Sequence, residues 1–482
     1  MFTRIVNKQL RGGGMEDRRD ERRQGELQHS LKRRHMSMIA LGGVIGAGLF
    51  VGSGVVMNQT GPAAIISFVI TGIIVVLVMR MLGEMAVAYP AVGGFYEYSR
   101  LALGNMAGFL TGWMYWYFWV IVVALEAVAG ATLLKYWLPD VPSWVFTLAL
   151  IVIFTVTNLL SVRNYGEFEF WFASIKVAAI VVFLFLGALF VLGLWPGGGG
   201  GFSNLSAHGG FAPKGIGPVL TGAVAATGFY FGAEIVTIAA AESAEPERAV
   251  AKATNSVITR VLIFYVGSVF LVVCIVPWDS DRIATPYVSA LEALGIPAAA
   301  NIMNAVVLTA VLSALNSGLY VSSRMLMALS RKGDAPQVFS RLSGNGVPIL
   351  AILAGTLFGY VAVFMSYISP NTVFAFLVNS YGAVAIFVYV LIAISELRLR
   401  RTIEREDPER LRVKMWAYPY LTYITIAAMI LIVGAMAFIP AQQKPLLFGA
   451  ISLVALLLAY VPRYYLGRRE TSAPAPAGGK GS

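Results

Sequence analysis

The chain has 482 residues, of which 58% are hydrophobic and 13% charged, with a mean hydropathy of +0.74 and a formal net charge of +11. A protein of this size has too little polar surface to screen so much apolar material from water, so the composition excludes a soluble globular protein and names a bilayer as solvent. The basic excess would also suit a nucleic-acid binder, but where the charges fall along the chain decides against that.

Residues 1–35 carry dense charge of both signs ("EDRRDERRQGE", "LKRRH") without an apolar core, and read as a cytoplasmic tail rather than a cleavable signal peptide. Beyond them, apolar runs of the ~20 residues that a membrane-crossing helix requires recur along the chain. They lie near 37–58, 63–88, 102–130, 143–161, 168–194, 217–241, 257–277, 298–328, 348–367, 372–397, 416–439 and 446–466. These twelve runs predict an all-α membrane protein with one helical domain over residues 36–467. The Pro/Ala/Gly string in residues 468–482 reads as a disordered cytoplasmic tail.

The first run contains "ALGGVIGAGLFVGSG", residues 40–54, in which six of fifteen residues are glycine. Glycine is a poor helix former, so its density here has two readings. Small residues four apart, such as Gly42 and Gly46 or Gly48 and Gly52, let helices approach closely. Alternatively the segment is unwound, and its freed N–H groups at a half-helix N-terminus can hold a carboxylate. The second run carries Arg80 and Glu84 at i, i+4, a spacing that suits an ion pair near its inner end. The third carries Glu126, a carboxylate inside an apolar helix, suited either to holding a proton or to fixing helix packing.

In the fifth run, "WFASIKVAAIVVF" places Lys176 inside the hydrocarbon. A cation there costs about 2.5–3.5 kcal/mol or more, which makes an intramembrane lysine a functional candidate. It stands nine residues into the run, about 13 Å along the helix, so snorkelling to the cytoplasmic surface is strained but stays open as the bland alternative. The glycines Gly197–Gly201 then open a polar outside loop. The sixth run contains "ATGFYFGAEIV", where Gly228 and Gly232 bracket Phe229, Tyr230 and Phe231, and Glu234 follows. Glycine-interrupted spans at positions one and six are what an inverted repeat of five spans each would produce. The single cysteine, Cys274, lies in the seventh run, so no intrachain disulfide forms and the thiol reads as packing. His29, His35 and His208 all fall outside the runs, and Glu242, Glu245, Glu247 and Arg248 fall in an inside loop.

With both termini cytoplasmic, only Lys135, Lys214, Arg282 and Lys444 of the 36 basic residues lie in outside loops, and Arg80 and Lys176 lie inside spans. The other 30 sit in the tails, the inside loops and the inner helix ends, which is the positive-inside pattern. The basic charge is therefore topological, with some attraction to anionic lipid.

The strings "GGVIGAGLF", "GPAAIISF", "MRMLGEMAVAYP", "NLLSVRNYGEFEFW", "GAEIVTIAAAESAEPERAVAKATNSVI" and "SRMLMALSRKGDAP" resemble the amino-acid permeases of the amino acid–polyamine–organocation superfamily, over residues 32–466. "GAEIVTIAAAES" and "NLLSVRNYGEFEFW" are most similar to its bacterial 4-aminobutyrate (GABA) permeases, with "MWAYPYLTY" and "PAQQ" as weaker support. The resemblance implies a LeuT-like 5+5 inverted repeat plus two further helices, alternating access and proton-coupled uptake across the bacterial inner membrane. It implies that the substrate carboxylate meets backbone N–H groups at Ile45, Gly46, Ala47 and Gly48. The amine would meet carbonyls around Phe229, Tyr230 and Phe231, next to Gly232. Many relatives that carry α-amino acids have threonine where this chain has Ala47, which would leave room for a longer backbone between carboxylate and amine. The resemblance also implies that Lys176 stands where sodium-coupled relatives hold a sodium ion. From there it would bridge the first span to Ser313, Asn316 and Ser317 of the eighth. Lys176, Glu234 and Glu126 are thus the candidates for proton coupling, with Asn316 and Ser317 beside them.

A permease for another amino acid, aromatic or small and neutral, is the nearest rival reading. A channel would need a charged or carbonyl-lined pore. An enzyme is disfavoured, because the sequence has no metal-spaced His/Cys cluster and no nucleophile–base set at membrane depth. The glycines of "GVIGAGLFVG" lack the βαβ unit that a dinucleotide fingerprint needs. No cofactor or metal is expected, and the partners are the amino acid, protons and lipid.

Overall fold

A computed structural model describes residues 35, 38, 45–46, 48–89, 94–160, 162–196, 201–239, 261–344, 346–369, 372–373, 376–377 and 383–471. Ala47, His29, Gly197–Gly200, the inside-loop residues Glu242, Glu245, Glu247 and Arg248, and most of both tails lie outside the described residues. Among the described residues, regular structure is helical throughout. Apolar sequence on this scale, with every backbone N–H and C=O needing a partner in hydrocarbon, leaves the helix as the available form.

The helices are α1 (Ser53–Thr60), α2 (Ala64–Ala88), α3 (Phe95–Leu103), α4 (Asn105–Leu134), α5 (Ser143–Leu160), α6 (Val162–Val191), α7 (Ile216–Thr227), α8 (Ile235–Ala239), α9 (Ser268–Ile275), α10 (Pro286–Ala293), α11 (Ala299–Arg331), α12 (Ile349–Ile368), α13 (Val384–Glu406), α14 (Tyr420–Met436) and α15 (Pro440–Thr471). Among the described residues, seven helical stretches are long and apolar enough to cross a membrane. One of them, Gly48–Ala88, is 41 residues long and joins the first two predicted spans. Three shorter apolar helices, Ile216–Tyr230, Ile263–Ile275 and Tyr420–Met436, fall on the sixth, seventh and eleventh predicted spans.

The molecule is organised around α11. At 1.5 Å per residue its 33 residues run about 50 Å, and from Leu315 to Ser330 every residue is buried. A helix enclosed on all sides belongs to the interior of a bundle, and α11 packs against α4, α6, α12 and α5. Its small side chains admit this closeness: a Cβ on Gly318 would lie 2.8 Å from Val123 on α4, so only glycine fits that crossing without displacing the neighbour. The helix α15 is the opposite case, with large apolar residues such as Leu447 and Leu458 more than half exposed. An apolar surface of that kind suits contact with lipid tails.

At one end of α2 the structure revises an expected pair. Glu84 does not bond Arg80, its i−4 neighbour. Its carboxylate instead accepts from Arg400 Nη1 on α13 and from the Met415 N–H, each at 2.5 Å. Arg80 donates to the Lys414 carbonyl at 2.8 Å and lies over the Trp416 ring. A local i, i+4 pair gains a few tenths of a kcal/mol. Glu84 is fully buried, so its burial requires a closer, multiply bonded partner, which a second helix supplies.

Candidate functional site

Two interruptions in the helices face each other. On the first span, Ile45 and Gly46 are not helical, and Gly48–Gly52 forms a widened π-type turn that leads into α1. On the sixth, α7 ends at Thr227, Gly228–Tyr230 makes a tight 3-10 turn, and Phe231 is extended with φ −66° and ψ 146°. Gly232 then takes φ 112°, a region closed to residues with a Cβ, before α8 begins at Ile235. The glycine after the aromatic triplet is therefore required by the backbone itself.

The Phe229 ring joins the two interruptions. A Cβ on Gly48 would lie 2.5 Å from Phe229 Cδ1, and a Cβ on Gly52 would lie 2.5 Å from Phe229 Cζ. Gly48 and Gly52, four residues apart, thus form the floor on which the ring rests. Gly46 differs: a Cβ there meets nothing within 4 Å, and the same holds at Gly228, which is exposed. The close-packing reading of the glycine-rich run finds its place at Gly48 and Gly52, while Gly46 has open space beside it.

Freed backbone groups at membrane depth need partners. The Phe229 carbonyl accepts from the Tyr265 hydroxyl at 2.7 Å. The Gly232 N–H points at both oxygens of Glu234, at 3.3 and 3.2 Å. Glu234 is fully buried, and it also accepts from Tyr115 Oη and Tyr389 Oη, each at 2.8 Å. Four contacts on one carboxylate bind it to its own loop and to α4 and α13. Its geometry is that of a strap across the break.

The aromatic triplet divides by residue. Phe229 is the ring between the two breaks. Phe231 is half-buried and meets Phe118 and Tyr389 edge-on, with centroids 5.6 and 4.9 Å away. Tyr230 is fully buried, stacks on Tyr265 at 4.3 Å and donates its hydroxyl to the Phe68 carbonyl at 2.9 Å. The Tyr230 side chain is thus packed and bonded, and its ring anchors the break against α2.

A second polar cluster lies at α6 and α11. Lys176 is 1% exposed, and its ammonium donates to Ser313 Oγ at 2.8 Å. Ser313 in turn donates to Glu169 Oε1 and Oε2 at 2.7 and 2.9 Å. Glu169 is fully buried on α6, seven residues before Lys176, which two helical turns bring to the same face. Asn316 and Ser317 are buried beside them on α11, and Asn316 Oδ1 accepts from Asn158 Nδ2 at 3.0 Å. Glu126 on α4 is half-buried and within electrostatic reach of Lys176. The structure therefore gathers Lys176, Glu126, Asn316 and Ser317 in one place and leaves Glu234 in another. Tyr115, which holds Glu234, and Glu126 are eleven residues apart on α4, about 16 Å along the axis.

Glu169 was not singled out from the sequence, although its signal was present. It is an acid inside the quoted "NLLSVRNYGEFEFW", in register with Lys176, and the fifth predicted run begins only one residue before it. Placed at a helix end it reads as solvated; in the fold it is enclosed. The phenols Tyr115, Tyr389 and Tyr265 had no comparable signal, because an aromatic in an apolar run looks the same whether or not its hydroxyl has a task.

Comparison with known proteins identifies the family. Residues 35–470 match the family model for amino acid permeases. The gamma-aminobutyric acid permease of Bacillus subtilis (strain 168) is 51% identical over 440 residues, covering 91% of this chain and 94% of that protein. The gamma-aminobutyric acid permease of Escherichia coli (strain K12) is 47% identical, covering 87% of this chain and 90% of that protein. The aromatic amino acid transport protein AroP of Corynebacterium glutamicum is 41% identical, covering 84% and 88%.

Proposed function

The chain belongs to the amino acid permease family, and from that premise we propose that it is a proton-driven symporter importing GABA, or a closely related amino acid, across the bacterial inner membrane. In this reading it is a multi-pass protein of twelve spans. Two inverted repeats of five are followed by two further helices, both termini are cytoplasmic, and the substrate is carried by alternating access. The observation that carries it is the pair of facing glycine breaks, with open space at Gly46 and Gly228 beside the Phe229 contact. The substrate carboxylate is taken by N–H groups at Ile45, Gly46, Ala47 and Gly48. The amine meets the opposite break at Phe229, Tyr230, Phe231 and Gly232. The carbonyl of Phe229 retains a lone pair beside its bond to Tyr265, which suits an ammonium donor.

Lys176 is the first candidate for coupling, with Glu126, Asn316 and Ser317 around it and Glu234 as a further acid. Their enclosure supports this role, because a buried ionisable group in a membrane is expensive and is retained for a task. The two relatives at 51% and 47% identity support GABA as substrate. The aromatic transport protein at 41% identity keeps an aromatic amino acid as the second reading.

The deciding experiment is uptake of labelled GABA into sodium-free proteoliposomes under an inward proton gradient, later collapsed by an uncoupler. One proton crossing 100 mV supplies about 2.3 kcal/mol, enough for roughly 40-fold accumulation of a zwitterion. Concentrative uptake that disappears on uncoupling is the expected result. Accumulation of an aromatic amino acid in place of GABA would transfer the substrate to the second reading. Downhill flux indifferent to the gradient would end the symport reading.

A further inference from the structure

We propose that Glu169 and Lys176 carry the transported proton between them, with the Ser313 hydroxyl as the relay. The inference rests on the symport reading and on its orientation, and adds to it the residue that gives the proton up. The three groups are enclosed, and their hydrogen bonds run in one direction. Lys176 Nζ donates to Ser313 Oγ at 2.8 Å, and Ser313 Oγ donates to Glu169 at 2.7 Å. A hydroxyl that accepts from one group while donating to the next is arranged for concerted transfer. As the ammonium N–H breaks and Ser313 gains that proton, the original Ser313 O–H breaks and its proton forms an O–H bond on Glu169. The products are a neutral amine, an unchanged hydroxyl and a carboxylic acid.

The transfer conserves charge and neutralises two buried charges that Ser313 links. Separated from water, two charges each carry a desolvation penalty of several kcal/mol, so the charged and neutral forms of such a pair lie closer in energy than they would in water. The cycle then balances. An external proton binds the Lys176 amine beside Glu169 carboxylate, crosses through Ser313, and leaves Glu169 for the other side, which restores amine and carboxylate. The direction follows from the helix. With the N-terminus of α6 on the cytoplasmic side, Glu169 lies seven residues inward of Lys176, about 10 Å. The groups facing this path are Glu126 from α4, Asn158 from α5, and Asn316 and Ser317 from α11. Glu126 acts on Lys176 through space, whereas the hydrogen bonds that run from Lys176 through Ser313 end on Glu169, which makes Glu169 the acceptor.

The test uses the full-length protein in sodium-free proteoliposomes, with whichever amino acid the wild type accumulates. Two readouts are taken, accumulation driven by a proton gradient and counterflow exchange of labelled for unlabelled substrate, which requires no net proton movement. E169Q and S313A are expected to lower a roughly 40-fold gradient-driven accumulation to about 1, with counterflow preserved. S313T retains the hydroxyl and is expected to accumulate. Full accumulation by either E169Q or S313A overturns the relay. So does loss of counterflow together with accumulation in both, or failure of S313T where S313A also fails, since each describes a structural role. A wild type that exchanges substrate yet accumulates none of it under the gradient overturns the symport reading, and the relay with it.

Discussion

Glu234 and Glu169 are both fully buried acids at membrane depth, and the fold uses them differently. Glu234 accepts from two phenols and from the N–H of Gly232, two residues before it. Its donors are fixed in place, and each bond favours one arrangement of the sixth-span break. Glu169 accepts from a serine that itself accepts from a lysine. The first site has neutral partners, an arrangement suited to holding a shape. The second has a charged partner within one relay and can exist in two protonation arrangements with the same heavy-atom geometry. Enclosure makes both acids candidates for a task, and their different partners separate the tasks we propose for them.

The largest effect that separates the two is expected at Lys176. Lys176→Met leaves Glu169 enclosed without its cation, and breaking a buried pair from one side costs about 3–5 kcal/mol. Thermal unfolding of the purified protein in detergent should show a marked loss of stability. The double variant Lys176→Met/Glu169→Gln, in which both charges are gone, should recover much of it while remaining unable to accumulate substrate. Equal stability of the single and double variants would remove the pair from the argument.

The next effect in size belongs to the strap. Tyr389→Phe deletes one hydrogen bond to Glu234 while preserving the ring edge that meets Phe231 at 4.9 Å. A bond of this kind to a charged group is worth about 1.5–3 kcal/mol. The same loss is expected from Tyr115→Phe, measured as a shift of the unfolding midpoint. If Glu234 only holds the break, Glu234→Gln should weaken stability and substrate affinity together and leave the proton dependence of uptake intact. A change in proton dependence alone would move Glu234 into the coupling group.

Much of this division was legible in the sequence, and the unread part has a common cause. Apolar runs of membrane length locate the helices, glycine pairs locate both breaks, and a lysine in hydrocarbon identifies the polar cluster. Each is a local signal. Partnership across helices is not local. Arg80 and Glu84 have the spacing of a pair, yet Glu84 takes Arg400, more than three hundred residues away. Glu234 and Glu126 look alike along the chain, and only the fold reveals that phenols surround the first and Lys176 faces the second. The enclosure of Glu169 depends on α11 lying over it, which no pattern within α6 contains.

The smallest effects test the floor of the first break, where the glycines of one run differ. At Gly48 a methyl group would meet the Phe229 ring at 2.5 Å, and overpacking of that kind costs about 1–3 kcal/mol. Gly48→Ala should therefore destabilise the protein, and Phe229→Leu in the same chain should relieve it. At Gly46 a methyl group meets nothing within 4 Å. Gly46→Ala is expected to leave the unfolding midpoint where it was, and any effect must come from what occupies that open space. If the carboxylate of the substrate lies there, Gly46→Ala raises the substrate concentration for half-maximal uptake without a stability cost, whereas Gly48→Ala changes both. Unaltered uptake kinetics in Gly46→Ala would separate the open space from the substrate and leave the glycine-rich run with packing as its only task.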